Sequence, residues 1–409
     1  MQGDLFGSAE GVPPVVDWSP TRAAGLARLA AFLPNAGRVY ARDRNIDRGP
    51  TDRANVSALS PWIRRRLVTE EEVIAAVLSR HGFNAAEKFI QEVYWRTYWK
   101  GWLEQHPTLL RAFDADRRAM TAQWANDARL ERAMRGETGI ACFDAWVREL
   151  VETGWLHNHA RMWFASIWIF TLRLPWALGA DFFYKHLLDA DPASNTLSWR
   201  WVAGLHTRGK HYLATARNIR EKTLGRFDPG GQLDERAPPL DEDVAFPLAA
   251  LSQSQVVRDR RVALLLHEDD LHAESLSIDA DVVGIACLNA PPVGNPDGPA
   301  ARFNAGALDD ALARAASAFA APTAPAPLNP TDLVGWVKAH GVREVVTPYA
   351  PVGLVAWRLE AQERALAADG IRLTRLRRAF DARAWPHATA GFFRFKAHIP
   401  RLIAAIATT

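Results

Sequence analysis

The hydrophobic pattern of this 409-residue chain changes once, near residues 229–256, and that change limits its architecture more than any other feature. Before it, apolar residues recur at three- and four-residue spacing, which predicts helices at roughly 20–34, 70–80, 84–105, 142–152, 155–170 and 180–188. After it, short β-branched runs at 262–266, 282–287, 344–349 and 371–376 alternate with helical stretches at 307–319, 332–340 and 352–369. This alternation predicts a parallel sheet covered by helices.

The segment between the two patterns, "PGGQLDERAPPLDEDVAFPLAALSQSQ", combines Pro, Gly and charge, as a linker does. We therefore expect an all-helical domain over 1–230, a linker over 231–257 and a smaller parallel α/β domain over 258–409. The fold class is α plus α/β. The Pro- and Ala-rich loop at 321–327 is given no regular structure.

Composition excludes several classes of protein. No apolar run is long enough to span a membrane and the N-terminus lacks a signal-peptide pattern, so we expect a cytoplasmic protein with no membrane association. Two cysteines, Cys142 and Cys287, are too few for a disulfide framework, a cysteine zinc site or an iron–sulfur cluster, and no metal site is expected. Residues 1–233 contain 31 Lys and Arg against 25 Asp and Glu, so the first part is mildly basic and able to meet a polyanion.

Sixteen tryptophans are present, most of them in the helical part, and core filling accounts for the majority. The stretch "FIQEVYWRTYW" is different, because Phe89, Glu92, Trp95, Arg96 and Trp99 fall three or four residues apart. One helix face would therefore combine an acid, a base and indoles. A solvent-facing helix carrying an ordinary Glu–Arg pair is the alternative for this segment.

A second stretch, "GWLHNHARMW", places polar groups inside an apolar pattern. Four residues share one face of the predicted helix: Trp155, Asn158, Arg161 and Met162. A buried guanidinium needs a partner, and the turn-like "DADPASN" offers Asp189 and Asp191. A pair between Arg161 and Asp189 would create a polar pocket in an indole-rich domain, which suits a large planar cofactor with a polar edge.

Four motifs in order, "NVSALSPWI", "FIQEVYWRTYW", "GETGIACFDAWVRELVETGWLHNHARM" and "DADPASNTLSWRW", resemble the catalytic domain of the DNA photolyase and cryptochrome family, from about Trp18 to Pro229. The resemblance implies FAD as the cofactor. Ser57, Leu59 and Ser60 would hold its diphosphate, and Asn195 would lie beside the flavin N5. The full set of implied FAD contacts is Tyr40, Ser57, Leu59, Ser60, Phe89, Arg96, Trp155, Asn158, Arg161, Asp189, Asp191 and Asn195.

The resemblance also implies an activity: light-driven splitting of cyclobutane pyrimidine dimers in DNA by an electron from reduced FAD. The residues that would receive the flipped dimer are Glu92, Trp95, Asn158, Met162 and Trp201. An electron relay would run through Trp124, Trp176 and Trp199. The alternative is a cryptochrome-type blue-light photoreceptor, in which FAD is photoreduced without repair. We expect a monomer whose partner is DNA containing pyrimidine dimers.

The domain order departs from the family. An α/β antenna domain comes first there, whereas here residues 344–403, which resemble the later part of that domain, follow the helical part. The resemblance thus implies a circular permutation. Whether a second, antenna chromophore binds stays open, and an α/β domain kept for stability is the alternative. Arg42 and Arg64–Arg66 are expected to supply phosphate contacts to DNA.

Overall fold

A computed structural model describes residues 16–207, 209–288 and 294–406. Between residues 22 and 222 the described chain is mainly helical, and its longest irregular connection is the segment 44–59. Its helices are α1 Arg22–Phe32, α2 Arg38–Asp43, α3 Ser60–Arg64, α4 Glu70–Arg80, α5 Phe83–Glu104, α6 Thr108–Gln123, α7 Ala128–Arg135, α8 Ala141–Thr153, α9 Asn158–Ser166, α10 Trp176–His186, α11 Pro192–Ala203 and α12 Ala216–Lys222. A π-helical turn, Ile167–Thr171, extends α9.

The later part of the chain alternates strands and helices. These are β1 Arg261–Leu266, β2 Asp281–Cys287, α13 Pro299–Phe319, α14 Pro330–Ala339, β3 Glu344–Pro348, α15 Leu354–Ala368, β4 Arg372–Leu376, α16 Ala379–Ala384, α17 Phe392–Lys396 and α18 Ile399–Ala404. The strands pair in parallel in the order β2-β1-β3-β4. The predicted fold class, a helical region followed by a small parallel α/β region, is therefore confirmed.

Helix boundaries follow local chemistry. Thr69 and Glu72 form a reciprocal capping box at the start of α4. Helix α8 ends at Gly154, whose φ of 68° is a left-handed conformation that glycine adopts without a Cβ penalty. That turn directs the chain into Trp155 and Leu156 before α9 begins at Asn158.

Three details differ from the sequence-based expectations. Trp155 precedes α9, which begins at Asn158 and not at 155. Asn195 lies in the first turn of α11, because Pro192 starts that helix where a turn-like segment was expected. In the loop at 321–327, Thr323 forms an isolated parallel bridge with Ile285, so part of this loop follows β2.

The helical and α/β parts meet at three consecutive arginines, Arg64, Arg65 and Arg66, at the C-terminal end of α3. Arg64 pairs with Asp269 at 2.7 Å, and Arg65 donates to the Leu188 carbonyl at 2.6 Å. Arg66 is ion-paired with Glu70, Asp270 and Asp381. All three guanidinium groups are buried. The expectation that Arg64–Arg66 contact DNA phosphates is therefore wrong, because all three are buried and two of them, Arg64 and Arg66, are already paired with carboxylates.

The C-terminal helices α16–α18 return to the helical part and pack on α5. Tyr94 stacks on Phe380 with ring centroids 5.4 Å apart, and Trp385 touches α5 at Gly101. Helix α5 is consequently covered on one side by the end of the chain. Among the described residues, no helix is both long and apolar enough to cross a lipid bilayer.

Candidate functional site

Two arginine–aspartate pairs define a buried polar cluster between α5, α9 and the loop before α11. Arg161 on α9 donates to Asp189 at 3.0 Å, and its Nε also donates to the Leu156 carbonyl. Arg96 on α5 donates to Asp191 at 2.6 Å. The predicted Arg161–Asp189 pair is therefore confirmed, and the Arg96–Asp191 pair, which was not predicted, uses the acid two residues further along the same loop.

Burial and charge oppose each other at both carboxylates. Burial alone would raise the pKa of Asp189, but Arg161 and Arg96 outweigh it, and a hydrogen bond from the Ser60 hydroxyl adds to their effect. The pKa of Asp191 also lies below its usual range, because Arg96, Lys100 and Arg64 outweigh its burial. Both acids are accordingly ionised at neutral pH.

Asn195 and Ser194 stand in the first turn of α11, next to this cluster. The Asn195 Nδ2 donates to the Ala180 carbonyl at 2.8 Å, which fixes the orientation of its amide. The backbone N–H of Ser194 donates to Asp191 at 2.7 Å. Asp191 thereby serves both as the N-cap of α11 and as the partner of Arg96.

The segment before α3 has an unusual backbone. Ala58 has a positive φ of 53°, and Leu59 follows it in the right-handed region. The Arg28 side chain donates to the carbonyls of Arg53, Val56 and Ser57, which holds this segment rigid. Alternating left- and right-handed residues turn successive N–H groups toward one point, a geometry that binds anions.

Residues from α2 and α5 form a neighbouring aromatic group. Tyr40 contacts Phe89 edge to face at 5.1 Å, and both pack on Phe32. One turn along α5, Glu92 is ion-paired with Arg44. Burial raises the pKa of Glu92, and Arg44 opposes that rise. Arg44 was not anticipated from the sequence, although it lies four residues after Tyr40.

Several known proteins are similar to part of this chain. Residues 89–236 match a family described as the FAD binding domain of DNA photolyase. This matched stretch is therefore similar to a photolyase-type FAD-binding domain. Two similar curated relatives are the deoxyribodipyrimidine photo-lyases of Vibrio cholerae, 27% identical over 55% of this chain and 49% of that protein, and of Agrobacterium fabrum, 34% identical over 46% and 39%.

Among solved structures, a bacterial class III photolyase from Agrobacterium tumefaciens is 29% identical, covering 50% of this chain and 45% of that one, with a TM-score of 0.42. The chain spans about half the length, or less, of the curated relatives it matches. The permuted domain order is not addressed by these matches and stays a prediction.

The helical part of the chain, residues 22–222, has a donor set that fits FAD. A diphosphate requires N–H groups and cations, and a flavin edge requires polar partners in a dry site. Three buried polar atoms next to Arg96 and Asp191 have no hydrogen-bond partner within the described structure: Thr97 Oγ1, Lys100 Nζ and Ser194 Oγ. Buried polar groups are rarely left unpaired, so these atoms are consistent with a polar ligand held nearby.

The residues that the resemblance assigns to a DNA lesion are less completely assembled. Trp95 is half-buried on α5, Asn158 is exposed at the start of α9, and Met162 is half-buried one turn later. Trp201 stacks on Tyr212 at 6.0 Å. Within the described residues, no ring contact joins Trp95 to Trp201. Their assignment to the lesion stays a prediction.

Trp95 has a partner that sequence analysis did not place. Phe392, from the first turn of α17, stacks face to face on its indole with centroids 3.7 Å apart and planes 12° apart. In the sequence, Phe392 belongs to the segment 344–403, which was assigned only to the α/β part. No local signal in the sequence pairs residues nearly three hundred positions apart.

The three relay candidates differ in burial, and no ring contact joins any two of them within the described residues, so the relay stays a prediction. Trp199 is buried, and the backbone of α10 at Gly179 lies against its ring. Trp176 lies one turn before Gly179, stacks on Phe113 at 5.3 Å and has the Arg200 guanidinium 5.6 Å from its centroid. Trp124 is half-buried at the end of α6.

Trp155, just before α9, and His159, in its first turn, each contact side chains from other segments of the helical part. The Arg53 guanidinium lies 4.5 Å from the Trp155 ring, and Arg53 is ion-paired with Glu149 at 3.1 Å. His159 stacks on Trp163 at 4.1 Å, with its Nε2 3.2 Å from the Tyr212 hydroxyl. These contacts connect α9 to the segment after α11.

Proposed function

We propose that this protein repairs DNA by the light-driven splitting of cyclobutane pyrimidine dimers, with FAD as its cofactor. When bound in its reduced form, FAD supplies the electron that light transfers to the dimer. The names of the curated relatives, deoxyribodipyrimidine photo-lyases, support this reaction.

The observation that carries the proposal is the juxtaposition of two sites on α5. Arg96 faces the buried Asp191, whereas Trp95, the preceding residue, and Glu92 are half-buried near the surface. One turn of one helix therefore connects a polar cofactor site with a half-buried indole and a half-buried carboxylate. A flipped pyrimidine dimer needs stacking and edge hydrogen bonds, and these two side chains supply both.

Each residue then has a role in this proposal. Trp95 and Trp201 stack on the dimer bases, and Glu92 hydrogen-bonds their polar edge. Arg161 and Asp189 fix the polar side of the cofactor site, and the left-handed Ala58 orients backbone N–H groups toward an anion. Trp199, Trp176 and Trp124 carry electrons from the surface toward the cofactor site. The expected partner is dimer-containing DNA, and the expected state is a monomer.

The test is blue-light repair, without oxygen, of an oligonucleotide carrying one thymine dimer, with the purified protein's flavin chemically reduced. Recovery of thymine absorbance that needs both light and reduced flavin supports the proposal. Samples kept dark and samples with oxidised flavin are the controls. If FAD is bound and photoreducible but thymine does not recover, the repair proposal fails and a photoreceptor that uses the same tryptophans takes its place.

A further inference from the structure

The last segment of the chain lies directly beside the predicted lesion site. Phe392 stacks on Trp95 at 3.7 Å and contacts Tyr98 edge to face at 5.5 Å. Phe395 packs on Tyr94 and Tyr98 from the same side. Helix α17 is therefore anchored on α5 by buried aromatic rings, at the level of Trp95.

The residue after this anchor points the other way. Phe393 is 85% exposed, the most exposed of the large apolar side chains in the described part of the chain. It borders a groove of about 310 Å³ whose other walls include Gln91, Lys396 and Pro400. An aromatic ring held in water on a rigid turn costs free energy unless a partner covers it.

The charge around Phe393 is one-sided. Residues 382–409 include Arg383, Arg394, Lys396 and Arg401 but no Asp or Glu. Arg394 and Arg401 are exposed, and neither has an ion-pair partner within the described residues. Lys396 is the exception, because it pairs with Glu87 of α5 at 3.1 Å. The exposed face of α17 and α18 is thus cationic around a single aromatic ring.

We propose that this C-terminal face, formed by Phe393, Arg394 and Arg401, binds the DNA duplex that flanks the flipped dimer. The inference rests on the proposed function, because it takes its position from Trp95. The two arginines contact phosphates, and Phe393 fills or wedges the stack beside the extruded bases. Apolar wedges of this kind stabilise distorted DNA, whereas arginines on phosphates supply sequence-independent affinity.

The α/β part offers a matched control. Arg260 and Arg343 are exposed and directly precede β1 and β3, at the amino ends of parallel strands. The carboxyl end of β1 leads into Asp269 and Asp270, which contact the helical part. The Arg260→Ala/Arg343→Ala variant therefore removes the same charge as Arg394→Ala/Arg401→Ala, but from the amino ends of the strands and not from α17 and α18.

The experiment measures binding of the flavin-loaded proteins to damaged and undamaged duplexes over a range of salt concentrations. Each phosphate contact contributes about 0.9 to the slope of log affinity against log salt. The Arg394→Ala/Arg401→Ala variant should lose about 1.8 from that slope on both duplexes, and the control pair should keep it. Equal slopes for the wild type and Arg394→Ala/Arg401→Ala overturn the inference.

The Phe393→Ala variant tests the proposed aromatic wedge independently of the phosphate contacts of Arg394 and Arg401. It should lose several-fold in preference for the damaged duplex while keeping the wild-type salt slope, and Val256→Ala, at a residue 69% exposed, is its control. If the preference for the damaged duplex is unchanged, Phe393 is not part of the DNA-binding face. Repair by the wild type is measured in parallel. Absent repair counts against the proposed function alone, because the salt slopes on undamaged DNA still decide whether this face binds phosphates.

Discussion

At the scale of single residues, the cofactor site depends on carboxylates whose charge is fixed by arginine partners. Arg161 and Asp189 could be anticipated from the sequence, since a guanidinium in an apolar helix requires a counter-ion. Arg44 beside Glu92 and Arg53 beside Trp155 could not, because both arginines come from irregular segments whose path is set by tertiary contacts.

Glu92 provides the sharpest test of the lesion assignment. Glu92→Gln should lower the quantum yield of repair about tenfold or more, because a hydrogen bond to a charged or reacting group contributes about 1.5–3 kcal/mol. Flavin content should be unchanged. Glu131→Gln, at an exposed position on α7, is the control. A normal yield in Glu92→Gln would remove this residue from the mechanism.

Glu149 gives a pH prediction. Burial raises the pKa of Glu149 to about 7, with Asp47 adding to the rise and Arg53 opposing it. Between its ordinary value of 4.5 and about 7, the folded protein holds a proton that the unfolded chain releases, so stability falls as pH rises.

Glu149→Gln should remove that decline, which amounts to about 3 kcal/mol at most. Denaturant unfolding near pH 5 and near pH 7.5 measures it. Glu152→Gln, exposed three residues later, should show the wild-type decline. If both variants decline equally, Glu149 is ionised in the folded protein across this range.

At the scale of elements, the packing of α10 on α11 sets the environment of the relay. A Cβ at Gly179 would lie 2.3 Å from Cη2 of Trp199 and 2.9 Å from Nε1 of Trp168. Only a residue without a side chain permits this approach. Gly179 was not singled out in the sequence, because a glycine inside a helical pattern carries no information about its neighbour.

Gly179→Ala should therefore destabilise the fold by about 1–3 kcal/mol through overpacking and should slow photoreduction of oxidised flavin by displacing Trp199. Gly335→Ala is the matched control, since a Cβ there meets nothing within 4 Å in α14. That variant should be stabilised, by up to about 1 kcal/mol. Denaturant unfolding and the photoreduction rate are the two measurements, and equal behaviour of both variants would contradict this packing.

Periodicity predicted α4, α5 and α8 and every strand of the sheet, but it did not predict the 16-residue helix α6. It was less successful where local chemistry decides the boundary. Helix α11 begins at Pro192, inside a segment that was expected to form a turn. Helix α9 begins at Asn158 and not at 155, because Gly154 ends the preceding helix and a turn follows. The motifs identified the site because its residues come from short sequence stretches, whereas the cover that α17 forms over Trp95 depends on the tertiary fold alone.

At the scale of the whole molecule, buried ion pairs join the helical and α/β parts. Arg66 contacts three carboxylates, one of which, Asp381, lies 315 residues away in the sequence. Arg378 shares Asp270 with it. From the sequence, three consecutive arginines indicated a surface for phosphates. Apart from Glu70, the acids that pair with Arg64 and Arg66 lie about 200 residues or more away in the sequence, too far to be recognised from it.

Arg66→Met should lower the free energy of unfolding by about 3–5 kcal/mol, because it leaves Asp270 and Asp381 buried with less compensation. Arg111→Met is the comparison. It breaks another pair between the two parts, to Glu360, but both side chains are exposed, so its cost should be below about 1 kcal/mol. Similar losses in the two variants would show that the Arg66 contacts are not the main connection.

The short helix α3 contacts both the cofactor cluster and the α/β part of the chain. Ser60, at its start, hydrogen-bonds Asp189 of the cofactor cluster, and Arg64, at its end, pairs with Asp269 of the α/β part. Because each helical residue advances the direction of its side chain by about 100°, deleting one residue here would turn the arginines away from their acids. This stretch should therefore tolerate neither insertions nor deletions in evolution.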